Sequence, residues 1–226
     1  MHLTFINGSP RGIKSNTGRL MDHFIRGFLE QAGNTCDIEY LTKNRNNLPA
    51  LAEKFAAAQN IVIGFPLYVD AMPGSVKEFF EILESYMGKM NNTALGFVIQ
   101  CGFPETSHTR PIEKYCEKFS RRMGCRYLGS ILKGGCEGLD IQPSFLTDKY
   151  YSNFYLLGVE FGKTGKLDAI ILAKLARPEH LSAENMANVI PFINQGLWDA
   201  QMEKNGSLDR SFDKPLVMNS SCPIVA

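Results

Sequence analysis

The sequence predicts an α/β fold built on a doubly wound, five-stranded parallel sheet. Short apolar runs rich in β-branched residues alternate with apolar stripes at helical spacing over about the first 133 residues. A polar, glycine-containing loop follows the first of these runs, which is where sheets of this kind receive ligands.

The elements follow in order. His2 to Ile6 (HLTFI) is a short run ended by Asn7-Gly8, a buried strand meeting a turn. Leu20, Met21, Phe24, Ile25, Phe28, Leu29 and Ala32 then form a broad helical stripe. Thr35 to Leu41 reads as a second strand, and Ala50 to Gln59 as a second helix after the polar loop KNRNNLP. Ile61 to Phe65 (IVIGF) suits a strand covered on both faces.

For the third helix, Ser75 and Glu78 have the spacing of a capping box, and Val76, Phe79, Phe80, Leu83 and Met87 share one face. Ala94 to Cys101 supplies a fourth strand. Ile112, Tyr115, Cys116, Phe119 and Met123 give a fourth helix, with Pro111 tolerated in its first turn. Tyr127 to Leu132 is the fifth strand. Strand–helix alternation implies right-handed crossovers, and five strands in so short a span suit a flavodoxin-like sheet of order 2-1-3-4-5.

Beyond Lys133 the pattern changes. GGCEG at 134–138 is a loop, and Tyr151, Phe154, Gly158 and Phe161 mark a helix closing the sheet. Residues 166–204 read as helical, with a kink or break at Pro191, and the last stretch, with Pro215 and Pro223, as an extended tail. We therefore expect a binding domain over 1–165 and a helical extension over 166–226 that packs on the core or on a partner subunit of a homo-oligomer.

Composition narrows the function. The chain of 226 residues carries 24 basic and 23 acidic side chains, net +1, without long same-sign runs. That balance offers no footprint for nucleic acid or an anionic membrane, so small molecules are the expected partners. The start, MHLTFING, lacks a basic segment and a long apolar stretch, and no 18-residue apolar run occurs, which points to the cytoplasm. The six cysteines, at 36, 101, 116, 125, 136 and 222, form no CxxC pair, so no metal site is expected and thiols are.

Three loops should meet beyond the carboxyl ends of strands 1, 3 and 4. The first, NGSPRGIKSNTG, brings together the hydroxyls of Ser9, Ser15 and Thr17, the amide groups around Asn16, the Arg11 guanidinium and a helix start, a set suited to a phosphomonoester. The same residue types also serve as ordinary helix caps. Gly8, Gly12, Lys14 and Ser15 resemble a Walker A loop, but the spacing is GxxxGxKS, and no GxGxxG accompanies the first strand.

The second loop, GFPLYVDAMPGS, offers Pro66 and an apolar wall of Leu67, Tyr68 and Val69, which suits a tricyclic isoalloxazine. The third, QCGFPETSHT, places Cys101 at the strand end, Gly102 where backbone can approach a ligand, and Phe103 where it can cover one. Cys101 and His108 invite a catalytic role, but no nucleophile–base set can be placed, and no catalytic side chain is assigned.

These loops resemble those of the NADPH-dependent FMN reductase family, especially its branch that includes the iron–sulfur flavoproteins. Gly8-Ser9-Pro10-Arg11 and Ser15-Asn16-Thr17 match its first loop, and Pro66, Tyr68, Met72, Pro73, Lys77 and Phe79 its second, over about residues 1–133. The resemblance implies bound FMN, with NADPH or NADH as hydride donor and a small acceptor such as a quinone, a nitro compound or a flavin. It places the phosphate on Ser9–Thr17 and the ring on Pro66–Val69. The chain departs from the family at Phe65, where a small or polar residue is usual, in lacking the cluster cysteines, and in having fewer third-loop glycines. A carrier that shuttles electrons without nicotinamide turnover is the alternative, disfavoured because such carriers are strongly acidic.

Overall fold

A computed structural model describes residues 1–139 and 142–213; the expected tail with Pro215 and Pro223, and Cys222, lie outside the described residues. The strands are β1 (His2–Asn7), β2 (Thr35–Tyr40), β3 (Asn60–Pro66), β4 (Ala94–Gln100) and β5 (Arg126–Lys133). They form one parallel sheet in the order β2-β1-β3-β4-β5, as the sequence predicts.

Helices α1 (Asn16–Leu29), α2 (Leu48–Ala57), α3 (Gly74–Ile82), α4 (Arg110–Met123) and α5 (Ser144–Thr164) cover its two faces. Alternation along each strand divides the core. Ile61, Ile63 and Phe65 of β3, with Leu95, Phe97 and Ile99 of β4, pack under α2, α3 and α4. Val62 and Val98 point the other way, with Leu3 and Phe5, into the layer made by α1 and α5. Every residue of β4 is buried, so the run ALGFVIQ carries apolar side chains on both faces, as a central parallel strand requires.

The α1–α5 contact is unusually close. A Cβ at Gly158 would sit 1.9 Å from the Phe24 carbonyl oxygen, one at Gly27 2.0 Å from that of Tyr155, and one at Gly162 2.8 Å from that of Phe28. Three glycines thus let two backbones touch, while Phe24, Phe28, Phe154 and Phe161 fill the space beside them.

Two local expectations are corrected. The Ser75–Glu78 capping box does not form, because α3 starts at Gly74 with Pro73 as its cap residue. The Pro73 carbonyl already accepts from the amides of Val76 and Lys77, which leaves Ser75 inside the first turn. Likewise α1 ends at Leu29, which is 45% exposed, before reaching Ala32.

After α5 comes α6 (Ala169–Leu175), whose N-cap Asp168 accepts from the Ile171 amide. Met1–His180 forms one compact unit, which takes in α6; residues from Leu181 onward form a second. In the second unit α7 (Ala183–Pro191) runs into a π-helical stretch, Phe192–Asp199, and then α8 (Ala200–Lys204). The change of helix type falls at Pro191, which has no amide proton to donate. No helix among the described residues is long and apolar enough to cross a membrane.

Candidate functional site

The carboxyl end of β1 is organised by Asn7, a fully buried side chain. Its Oδ1 accepts from the Ser9 amide (2.9 Å), and its Nδ2 donates to the Ser15 hydroxyl (3.0 Å) and the Gly12 carbonyl (3.3 Å). One side chain thereby fixes the whole turn from β1 to α1. Ser15, also fully buried, is the N-cap of α1, and its Oγ accepts from the Gly18 amide as well (3.0 Å). A hydroxyl has two acceptor positions and one proton. Both acceptor positions of Ser15 are used inside the loop, which leaves its proton for a further acceptor.

The adjoining backbone has the same character. The Ser15 amide donates to the Gly12 carbonyl and the Gly18 amide to Ser15, while the amides of Asn16 and Thr17 stand in the first turn, where no intrahelical acceptor exists. Hydroxyl and amides with the positive end of a 14-residue helix form an anion cradle. Ser9 is buried beside it, and its Oγ accepts from the Arg11 amide (3.4 Å). Arg11 is exposed at the lip.

The loops are stitched together at this end of the sheet. The Gly8 amide donates to the Gly64 carbonyl (2.7 Å), and the Leu67 amide to that of Gln100 (2.7 Å). Thr17, fully buried, lies against β3 at Gly64, where a Cβ would come within 2.6 Å of its methyl; its hydroxyl accepts from Gln100 (3.5 Å). Asn16 donates to the Cys136 carbonyl (2.5 Å), which brings the loop after β5 into the assembly.

In the second loop Pro66 closes β3 and is buried, Leu67 packs partly into the core, Tyr68 is 46% exposed and Val69 98% exposed. Val69 and Asp70 both have positive φ (47° and 61°) in a tight turn closed by reciprocal Tyr68–Ala71 backbone bonds. For a β-branched residue that conformation costs about 1–3 kcal/mol, strain of the kind that gathers at ligand-binding loops.

In the third loop Gly102 and Phe103 face outward, with Phe103 64% exposed and its ring 4.7 Å from that of His108. Cys101 is buried, and its thiol faces the Phe103 and Glu105 carbonyls. Burial pushes that thiol up to about 11, against the pull of nearby Lys133. His108 Nε2 lies 3.8 Å from a Glu105 carboxylate oxygen.

The structure thus gathers Ser9, Ser15, Asn16 and Thr17 around one turn and ties the loops bearing Pro66–Val69 and Cys101–Phe103 to it. Asn7, Gln100 and the loop 134–138 were given no part in the site from the sequence. A polar residue ending an otherwise fully buried apolar run was the signal for the first two. A separate open groove of about 1040 Å³ lies between α1 and α5, lined by His23, Arg26, Asp148, Tyr151 and Tyr155 among others, on a different surface.

A family model described as a flavodoxin-like fold matches residues 1–145. The chain belongs to that family. No curated protein matches it by sequence. Solved structures similar to this flavodoxin-like chain include an FMN-dependent NADH-azoreductase from Bacillus anthracis in complex with FMN, at 14% identity and a TM-score of 0.57, covering 72% of this chain and 100% of that one. An NAD(P)H:quinone oxidoreductase from Methanothermobacter marburgensis is 13% identical with a TM-score of 0.59, over 71% and 96% of the two chains. An NADH:FMN oxidoreductase in its apo form is 15% identical with a TM-score of 0.55, over 78% and 96%.

Proposed function

We propose that this flavodoxin-like chain is an FMN-dependent oxidoreductase that takes hydride from NADH or NADPH and reduces a small acceptor such as a quinone, a nitro compound or a flavin. The observation that carries this reading is the cradle at the start of α1, where the Ser15 hydroxyl accepts twice and keeps its proton for a further acceptor, and the Asn16 and Thr17 amides lie in the first turn, without an intrahelical one. Those donors fit a phosphomonoester: three or more hydrogen bonds and a helix dipole meet a dianion, with Arg11 at the lip to balance charge. The proteins of similar fold named above are by their names an FMN-dependent NADH-azoreductase, an NAD(P)H:quinone oxidoreductase and an NADH:FMN oxidoreductase, which supports the same reading.

FMN, when bound, supplies the hydride-accepting redox chemistry. The chain's own residues bind and orient. Ser9, Ser15, Asn16 and Thr17 hold the phosphate; Pro66, Leu67, Tyr68 and Val69 offer the second loop to the ring. Gly102 and Phe103, with Cys101 fixing their backbone, close the opposite edge. The strained Val69–Asp70 turn keeps that wall in one shape, so binding loses little loop entropy. No side-chain acid or base is assigned, because hydride transfer needs proximity and alignment above all. A cytoplasmic homo-oligomer, with residues 166–226 packing on the core or on a partner subunit, belongs to the same reading.

An absorbance titration tests it. Purified chain mixed with FMN should retain a flavin spectrum after desalting, and the spectrum should bleach when NADPH or NADH is added without oxygen. Retained flavin that no nicotinamide reduces would turn the reading toward an electron carrier, and no flavin uptake would overturn it.

A further inference from the structure

The loop after β4 carries an exposed aromatic, yet it is held from both sides. On one side the Gly135 amide donates to the Phe103 carbonyl (2.7 Å) and the Cys136 amide to that of Cys101 (2.9 Å). The other side is held by a segment far along the chain, beyond the residues that the family model matches. The Thr106 hydroxyl, fully buried, donates to the Ala176 carbonyl (2.5 Å) with the Pro178 carbonyl at 3.2 Å. The amides of Thr106 and Ser107 donate to the carbonyls of Pro178 (3.0 Å) and Glu179 (3.2 Å).

A charged clamp completes the contact. Arg110 grips Glu179 with two parallel bonds, Nε to Oε1 at 2.8 Å and Nη2 to Oε2 at 2.5 Å, while Nη1 donates to Glu113 (2.9 Å). The segment is itself anchored. Leu175, 2% exposed, belongs to the core layer of α1 and α5, and Ala176, 9% exposed, to the layer of α2, α3 and α4. Residues 175–180 therefore link both layers of the unit to one site loop.

We infer that Leu175–His180 is a strap that fixes the loop Cys101–Thr109, and through it Phe103, so as to set how tightly the nicotinamide binds. Arg110 and Glu179 are its positioning residues. The inference rests on the proposed function, since it assigns the nicotinamide to the Phe103 side of that site. Its physical basis is preorganisation. An exposed aromatic ring stacks on a planar ligand at a lower entropic cost when its backbone is already immobile, and Phe103 has its backbone bonded to one neighbour while the next turn of the loop is bonded to another. The contact would serve no purpose of core packing at Arg110 and Glu179, whose side chains are 38% and 42% exposed.

The test uses the full chain as wild type, R110E, E179R and the charge-swapped R110E/E179R, with T106V as a variant that keeps every charge. Hydrogen exchange at residues 101–109, measured without flavin, reads the strap directly. FMN titration and steady-state kinetics with NADH read its consequence. Loss of a bidentate charged pair should speed exchange in the loop by about tenfold in each single variant, and the swap should recover most of it. With FMN in excess, the KM for NADH should rise by a similar factor and recover in the swap, while kcat stays within about twofold.

Exchange unchanged in the single variants, or unrecovered in the swap, overturns the strap. Faster exchange with an unchanged KM overturns its role in nicotinamide binding. A wild-type chain that takes up no flavin overturns the functional reading and the nicotinamide role with it, and the exchange pattern still decides whether the strap orders the loop.

Discussion

Replacing Ser15 by alanine removes two bonds that the α1 start depends on. The first is the cap to the Gly18 amide, for which such a change costs about 1 kcal/mol. The second is the acceptor of the buried Asn7 Nδ2, whose lost partner costs about 1–3 kcal/mol, softened by the bond that Asn7 keeps to Gly12. Together these predict a loss of about 2–4 kcal/mol, readable as a lower urea midpoint at unchanged slope. The Ser15 proton left for a further acceptor is lost too, so on the proposed function FMN should bind about tenfold more weakly or worse, beyond any effect of stability. Ser15→Thr keeps the oxygen and should recover most of both. A stability change under about 0.5 kcal/mol in the alanine variant, or threonine as damaging as alanine, would refute the bonding scheme at Asn7 and Ser15.

Further outcomes follow from other close contacts. Gly158→Ala puts a methyl 1.9 Å from the Phe24 carbonyl and must force α1 and α5 apart, costing about 1–3 kcal/mol or more, which a thermal melt would show. Gly64→Ala presses on the Thr17 methyl (2.6 Å) and the Phe5 ring (2.9 Å); FMN titration should show weakened binding in protein that stays folded by circular dichroism. Arg110 holds the Glu179 carboxyl below its ordinary range, with His180 adding to the pull. A carboxyl lowered by folding stabilises above its unfolded value, and that contribution fades as the pH falls through the lowered one. E179Q should therefore lower the melting temperature near neutrality and match wild type more closely toward pH 3; a gap that stays constant with pH would contradict the pairing.

How far the sequence carried differs by element. The central strands β3 and β4 were legible because a parallel sheet covered on both faces needs dense apolar runs, which IVIGF and ALGFVIQ supply. The polar turn between β1 and α1 was legible as a loop because its small polar residues and glycines interrupt the apolar pattern between a buried strand and a helix. The start of α3 was misplaced, since Ser75 and Glu78 fit a capping box equally well whether or not Pro73 has already taken the amides they would serve. Asn7 looked like one end of an Asn-Gly turn, and only three-dimensional closure makes it a hub. The strap was invisible, because Thr106 meets Pro178 and Arg110 meets Glu179 across about seventy residues of intervening chain, and no local pattern marks either partner.

The glycine seam between α1 and α5 also orders events in time. During synthesis α1 leaves the ribosome long before Ser144–Thr164 exists, so its Phe24 and Phe28 side remains wet until well over a hundred further residues have been made. The polar cradle sits on the first turn of that same helix, and its Asn16 waits for the Cys136 carbonyl as well. A nascent chain halted before α5 therefore presents an incomplete cradle, and on the proposed function binding of FMN falls among the last steps in the maturation of the unit.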